Sequence, residues 1–156
     1  MTRVPITREG YERLKTELAR LQKEERPTVI KAIEEARGHG DISENAEFES
    51  AKQKQSLIEG RIQELSDKIA HSQIVELPET VDGKAIFGCQ VIVEDLETRE
   101  VSTYRLVGPY EADVQAGTIS VISPLGKALI GKEEGDEIKV QTPKGVRNIE
   151  ILEIQP

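Results

Sequence analysis

The chain has 156 residues, enough for one compact domain or two small ones, with 32% charged residues, 3% aromatic residues and no Trp. Those proportions exclude one large globular core and favour a long exposed helical element beside a small core. The net charge of −8 is unevenly spread: residues 1–75 carry 13 Lys/Arg against 14 Asp/Glu, and residues 76–156 carry 8 against 15, so the second half should not grip nucleic acid phosphates unaided.

Thr7 is placed to cap a helix, with Ile6 and Tyr11 as a hydrophobic staple. Tyr11, Leu14, Leu18 and Leu21 then recur at steps of three and four, a coiled-coil seam, which Val29, Ile33 and Ala36 resume beyond Pro27. This predicts a helix of about 30 residues, kinked at Pro27 and ended by Gly38-His39-Gly40. Phe48, Ala51, Gln55, Ile58, Ile62, Leu65 and Ile69 define a second helix, and the two make an antiparallel hairpin. Gly60 inside it should cost about 1 kcal/mol relative to Ala, which suggests close approach to the first helix. Glu24-Glu25 and Glu34-Glu35 fit the polar outer face.

After Leu77-Pro78 the period changes. Residues 90–94, 102–107, 119–121, 137–140 and 149–152 read as short strands, with residues 74–82 as linker. Ser123 as N-cap, Pro124 in the first helical position and Gly131 past the end mark one short helix. The expected architecture is α+β: a coiled-coil hairpin over residues 1–75 and a small, mainly antiparallel domain over residues 76–156. Cys89 stands alone, which excludes a disulfide framework or a Cys-based zinc site, and it reads as a buried apolar side chain. No apolar run approaches the ~20 residues of a membrane span, and a reducing cytoplasm is the expected compartment.

The segment between the helices carries the chemistry. Asp41 and Glu44 stand three apart at a helix start, where both carboxylates can turn to one side. Hard oxygen ligands of this kind suit Mg²⁺, which keeps several waters and takes only one or two protein carboxylates. The same Asp-x-x-Glu spacing also makes a capping box that complements the helix dipole. Spacing leaves both readings open. His39 fits a solvated loop position better than a ligand.

Gly40-Asp41-Ile42-Ser43-Glu44-Asn45-Ala46-Glu47-Phe48 resembles the signature G-D-L-S-E-N-A-E-Y of the GreA-type transcript cleavage factors, with Ile42 and Phe48 as departures. Residues 27–33, 58–62 and 123–136 are also similar to that family, in order along nearly the whole chain. The related GreB type has Arg at the Ser43 position and a more basic hairpin. The resemblance implies that the second domain has an FKBP-like fold and docks at the rim of RNA polymerase through Ser123 and Pro124. It implies that the hairpin enters the secondary channel, where Asp41 and Glu44 complete the coordination of a Mg²⁺ ion held jointly with the polymerase. Ser43 and Asn45 would support the tip, and Arg37 and Lys52 could touch the nascent RNA 3′ end. Phe48 lacks the hydroxyl of the family's Tyr. The implied protein is a monomeric accessory factor with no cofactor of its own. Two rivals are a prolyl isomerase, which needs an aromatic pocket wall that Phe87, Tyr104 and Tyr110 scarcely provide, and a relative that blocks the channel without aiding cleavage.

Overall fold

In a computed structural model, residues 2–38 and 46–156 are described. They fall into two compact units, one of residues 11–71 and one of residues 1–10 together with 72–156.

The helical unit follows the apolar period. Helix α1 (Arg8–Arg20) passes through a π-helical turn, Leu21–Glu25, into α2 (Arg26–Arg37), without a break at Pro27. The Arg26 N–H donates to the Leu21 carbonyl, a five-residue step that widens the turn just ahead of the proline. Pro27 can offer no N–H and its ring would crowd the carbonyl four residues back. The Thr28 hydroxyl donates to the Glu24 carbonyl at 2.7 Å and so occupies an acceptor in the disturbed turn. Helix α3 (Ala46–His71) returns along the first run. Leu14, Leu21, Val29, Ile33 and Ala36 are buried from one side, and Ala51, Ile58, Ile62 and Leu65 from the other. Burying a side chain such as Leu65 is worth about 1.5–3 kcal/mol. Arg26 donates from Nε and Nη2 to the two carboxylate oxygens of Glu59 at 2.7 and 2.8 Å, which marks the antiparallel register. The pair is solvated and adds little stability.

Gly60 corrects the sequence reading. A Cβ there would meet nothing within 4 Å, so no helix approaches it and the glycine lies on an exposed face. Gly60→Ala should therefore stabilise the helical unit by up to ~1 kcal/mol through helix propensity. Thermal unfolding followed by helix signal checks this, and a lowered midpoint would show a steric need for glycine.

In the other unit, strands β1 (Val4–Ile6) and β2 (Ser72–Ile74) form a parallel pair. Residues 1–10, grouped with the hairpin on sequence, thus pack with the sheet unit, and part of the expected linker is strand. The main sheet holds β3 (Gln90–Asp95), β4 (Val101–Val107), β5 (Thr118–Ser120), β6 (Glu137–Thr142) and β7 (Gly145–Gln155), in the order β5-β4-β3-β7-β6. Only β4 and β5 pair in parallel there. Val91, Val93, Leu106, Ile149 and Ile151 form its core with Leu129 of helix α4 (Pro124–Leu129). The β3–β7 register shifts at Ile92/Val93, where Ile92 faces Glu153 and Val93 faces Ile151. Leu152 is the extra residue of this bulge, and the buried positions resume at Ile154 rather than 153. Cys89 is buried in the core, and burial pushes its thiol up from the ordinary value.

Candidate functional site

Residues 39–45, and with them His39, Asp41, Ser43, Glu44 and Asn45, lie outside the described residues. The two helix ends that flank them are defined. Helix α2 closes at Gly38, whose N–H donates to the carbonyls of Glu34 and Glu35, both at 3.1 Å. Ala36 and Ala51 are buried, and small side chains there allow the helix ends to come close. The Arg37 guanidinium carbon lies 6.0 Å from the centroid of the Phe48 ring, within cation–π range. Arg37 therefore joins α2 to α3 beside the connection, and the ring at position 48 serves this contact without a hydroxyl. Arg37 and Lys52 are both exposed. Spacing of apolar residues could not show the Arg37–Phe48 pair, because it depends on the length of the turn.

The acid pair is thus carried between two ends of an antiparallel helix pair, with Glu47 and Glu49 adding acids to the first described turn of α3. Two carboxylates offer hard oxygen donors suited to Mg²⁺, but too few for a tight autonomous site. Among the described residues no group of three or more His, Cys, Asp or Glu could hold a metal ion.

Elsewhere the helical unit carries solvated ion pairs. Arg20 bridges Glu17 and Glu25 at 2.8 Å each. Its hydrogen bond holds the Glu17 carboxyl below the usual carboxylate range, and the two acids raise the guanidinium. Lys68 and Arg61 likewise hold Glu64 low. Glu24, Glu34 and Glu35 are exposed, as a polar outer face requires.

The second candidate region is the entry to α4. Ser123 is extended, at φ −70° and ψ 159°, and its Oγ accepts the Gly126 N–H at 3.1 Å. The same hydroxyl donates to the Ser120 carbonyl at 2.6 Å, and the Ser123 N–H donates there at 3.0 Å. Pro124 occupies the first turn, where its missing N–H costs nothing. These bonds hold Ile122, 59% exposed, and the exposed Pro124 outward. An adjoining cavity of 330 Å³ is lined by Val114, Ile119, Pro124, Leu125 and Pro143, with Tyr104 the one aromatic contributor from residues 76–156. Among the described residues no helix is long and apolar enough to cross a membrane.

Two family models match: "Transcription elongation factor, N-terminal" over residues 4–74, and "Transcription elongation factor, GreA/GreB, C-term" over residues 80–156. The transcription elongation factor GreA of Syntrophobacter fumaroxidans is 72% identical over 155 residues, 99% of each chain. That of Thermodesulfovibrio yellowstonii is 53% identical, over 97% of this chain and 96% of its own. Among solved structures, the GreA factor homolog 1 protein of Thermus thermophilus is 33% identical over 99% of both chains, with a TM-score of 0.45.

Proposed function

The chain belongs to the GreA/GreB family of transcription elongation factors, and on that premise we propose that it acts on RNA polymerase, placing its helical hairpin in the secondary channel and stimulating the polymerase's own cleavage of backtracked RNA. The observation that carries this reading is the Asp41–Glu44 pair, three residues apart, between two long antiparallel helices on a chain that matches the family over both halves.

The chemistry follows from what the residues can do. Asp41 and Glu44 offer carboxylate oxygens to a Mg²⁺ ion that the polymerase also ligates. When bound there, such an ion stabilises charge on the attacking or leaving oxygen. Ser43 and Asn45 orient the tip through short polar side chains. Arg37, within cation–π range of Phe48, and Lys52 present positive charge to RNA phosphates near the tip. Ser123 and Pro124 dock the sheet unit on the polymerase rim, held out by the hydrogen bonds to Ser120 and Gly126. The factor supplies ligands and geometry, and the polymerase supplies the remainder of the site. It acts as an accessory protein in the cytoplasm, as a monomer, and the RNA it reaches is the nascent 3′ end.

Incubation with free RNA and with a stalled polymerase complex separates an accessory factor from a nuclease. The purified protein alone should leave free RNA intact and bind Mg²⁺ weakly, because two carboxylates make an incomplete shell. Hydrolysis of free RNA that disappears in Asp41→Asn would overturn the accessory role.

A further inference from the structure

The proposed reaction gives the middle of the hairpin no task, yet both of its helical runs are weakened at one level there. On the first run the α-helical ladder gives way to the π turn Leu21–Glu25. Pro27 follows in the first turn of α2 and offers no N–H to the carbonyls before it. The Thr28 hydroxyl takes the Glu24 carbonyl at 2.7 Å, a back-bond that tends to bend helices and loosen them slightly. Residues 21–28 thus hold three departures from regular helical bonding. Single π turns inside helices recur at functional positions.

The returning helix has its own weak point at the same height. Glu59 lies opposite Arg26, whose Nε and Nη2 reach its two carboxylate oxygens at 2.7 and 2.8 Å. Gly60 is the next residue, so the glycine of α3 stands level with the disturbed turn of the other run. Its missing side chain serves no packing, because a Cβ there would meet nothing within 4 Å among the described residues. What the glycine does supply is backbone freedom, at the expense of helix propensity. The Arg26–Glu59 pair that spans the level is solvated and holds it closed only weakly. Buried seams continue on both sides, through Val29, Ile33 and Ala36 towards one end and through Leu14, Ile62 and Leu65 towards the other.

We propose that this level is a hinge of the helical unit: residues 21–28 and 59–61 open together, and the two halves of the hairpin bend about them while their seams stay packed. An irregular turn in one helix would be held straight by a regular partner. Here the partner carries a poor helix former at the facing position. Opening at this level exposes little apolar surface, since Leu21 is the one buried residue of the π turn and Gly60 adds no side chain. Local opening of this kind costs less than unfolding the unit. The hinge belongs to residues 11–71 alone, so its test needs no polymerase.

The experiment follows amide exchange and residual dipolar couplings along the three helices of the full chain, in wild type, Gly60→Ala, Pro27→Ala and the double variant. In wild type, amides of residues 22–28 and 59–63 should exchange about tenfold faster than those around Leu14, Ile33 and Leu65, with a shallow dependence on denaturant. Gly60→Ala should slow exchange about fivefold, across the hairpin at residues 22–28 as well as beside residue 60. Pro27→Ala should in turn slow exchange at residues 59–63. The couplings of the two halves should need two alignments in wild type and a single one in the double variant. Slowing confined to the substituted helix would reveal two independent weak spots and overturn the hinge. Exchange at these amides no faster than at their neighbours would overturn it too, as would wild-type couplings that fit one alignment.

Discussion

Asp41→Asn and Glu44→Gln should each leave folding and polymerase binding intact while slowing stimulated cleavage roughly a hundredfold. The magnitude follows from losing ~3 kcal/mol of transition-state stabilisation. Neutral amides are poor replacements for carboxylates on a divalent cation in a water-poor channel. The capping reading expects a different result from the same variants, because Asn caps about as well as Asp and Gln also serves in a capping box. If the defect lies in ion occupancy, excess Mg²⁺ should restore part of the rate. Thermal unfolding of each variant beside the cleavage assay separates the two readings. Wild-type cleavage by both would leave helix capping as the explanation of the pair.

Gly126→Ala should destabilise the sheet unit by about 1–3 kcal/mol, the usual cost of forcing extra volume into a packed site. The new Cβ would overlap the Ser120 carbonyl, a backbone atom that cannot rotate away. That carbonyl also receives both the Ser123 N–H and the Ser123 hydroxyl, so relief of the overlap breaks the cap of α4. The position is buried, unlike Gly60, where the same substitution meets open space. One change of residue is thus expected to act in opposite directions in the two units. Because Ser123 and Pro124 are proposed to dock on polymerase, Gly126→Ala should also weaken binding, as should substitution of Ser123 and Pro124 themselves. Unchanged denaturation midpoint and unchanged affinity in a direct binding assay would contradict both the packing and the docking assignments.

What the sequence disclosed was mostly local. The Thr7 cap, the Ser123–Pro124 start of α4 and the paired seams depend on neighbours a few residues away, where periodicity and capping chemistry act. The strands were found at their centres, but β7 runs over Gly145–Gln155 because the bulge at Leu152 resets its alternation, which a strict period of two hides. The β1–β2 pair joins three-residue strands 68 positions apart, too short for a pattern. The hydrogen bond from the Thr7 N–H to Glu111 spans 104 positions, so no local rule connects the two. Pro27 marks the disturbed turn in the sequence, but the π-helical step there, with the Arg26 N–H on the Leu21 carbonyl, is not visible in the apolar spacing. Gly60 misled because a helical glycine suggests close packing, and this one is simply exposed. The acid pair was singled out by its chemistry and by the resemblance of the residues around it, and Arg37 and Phe48 meet on the helices to either side of it in the sequence.

The most direct test follows RNA in a defined backtracked polymerase complex, in single turnover, with saturating wild-type protein, with Asp41→Asn, and with no factor. Release of a short 3′ fragment should be much faster with wild type than without it, and Asp41→Asn should fall close to the factor-free rate while still occupying the polymerase. A wild-type protein that binds the complex yet leaves the cleavage rate at the factor-free value would contradict the proposed function and favour a factor that only blocks the channel.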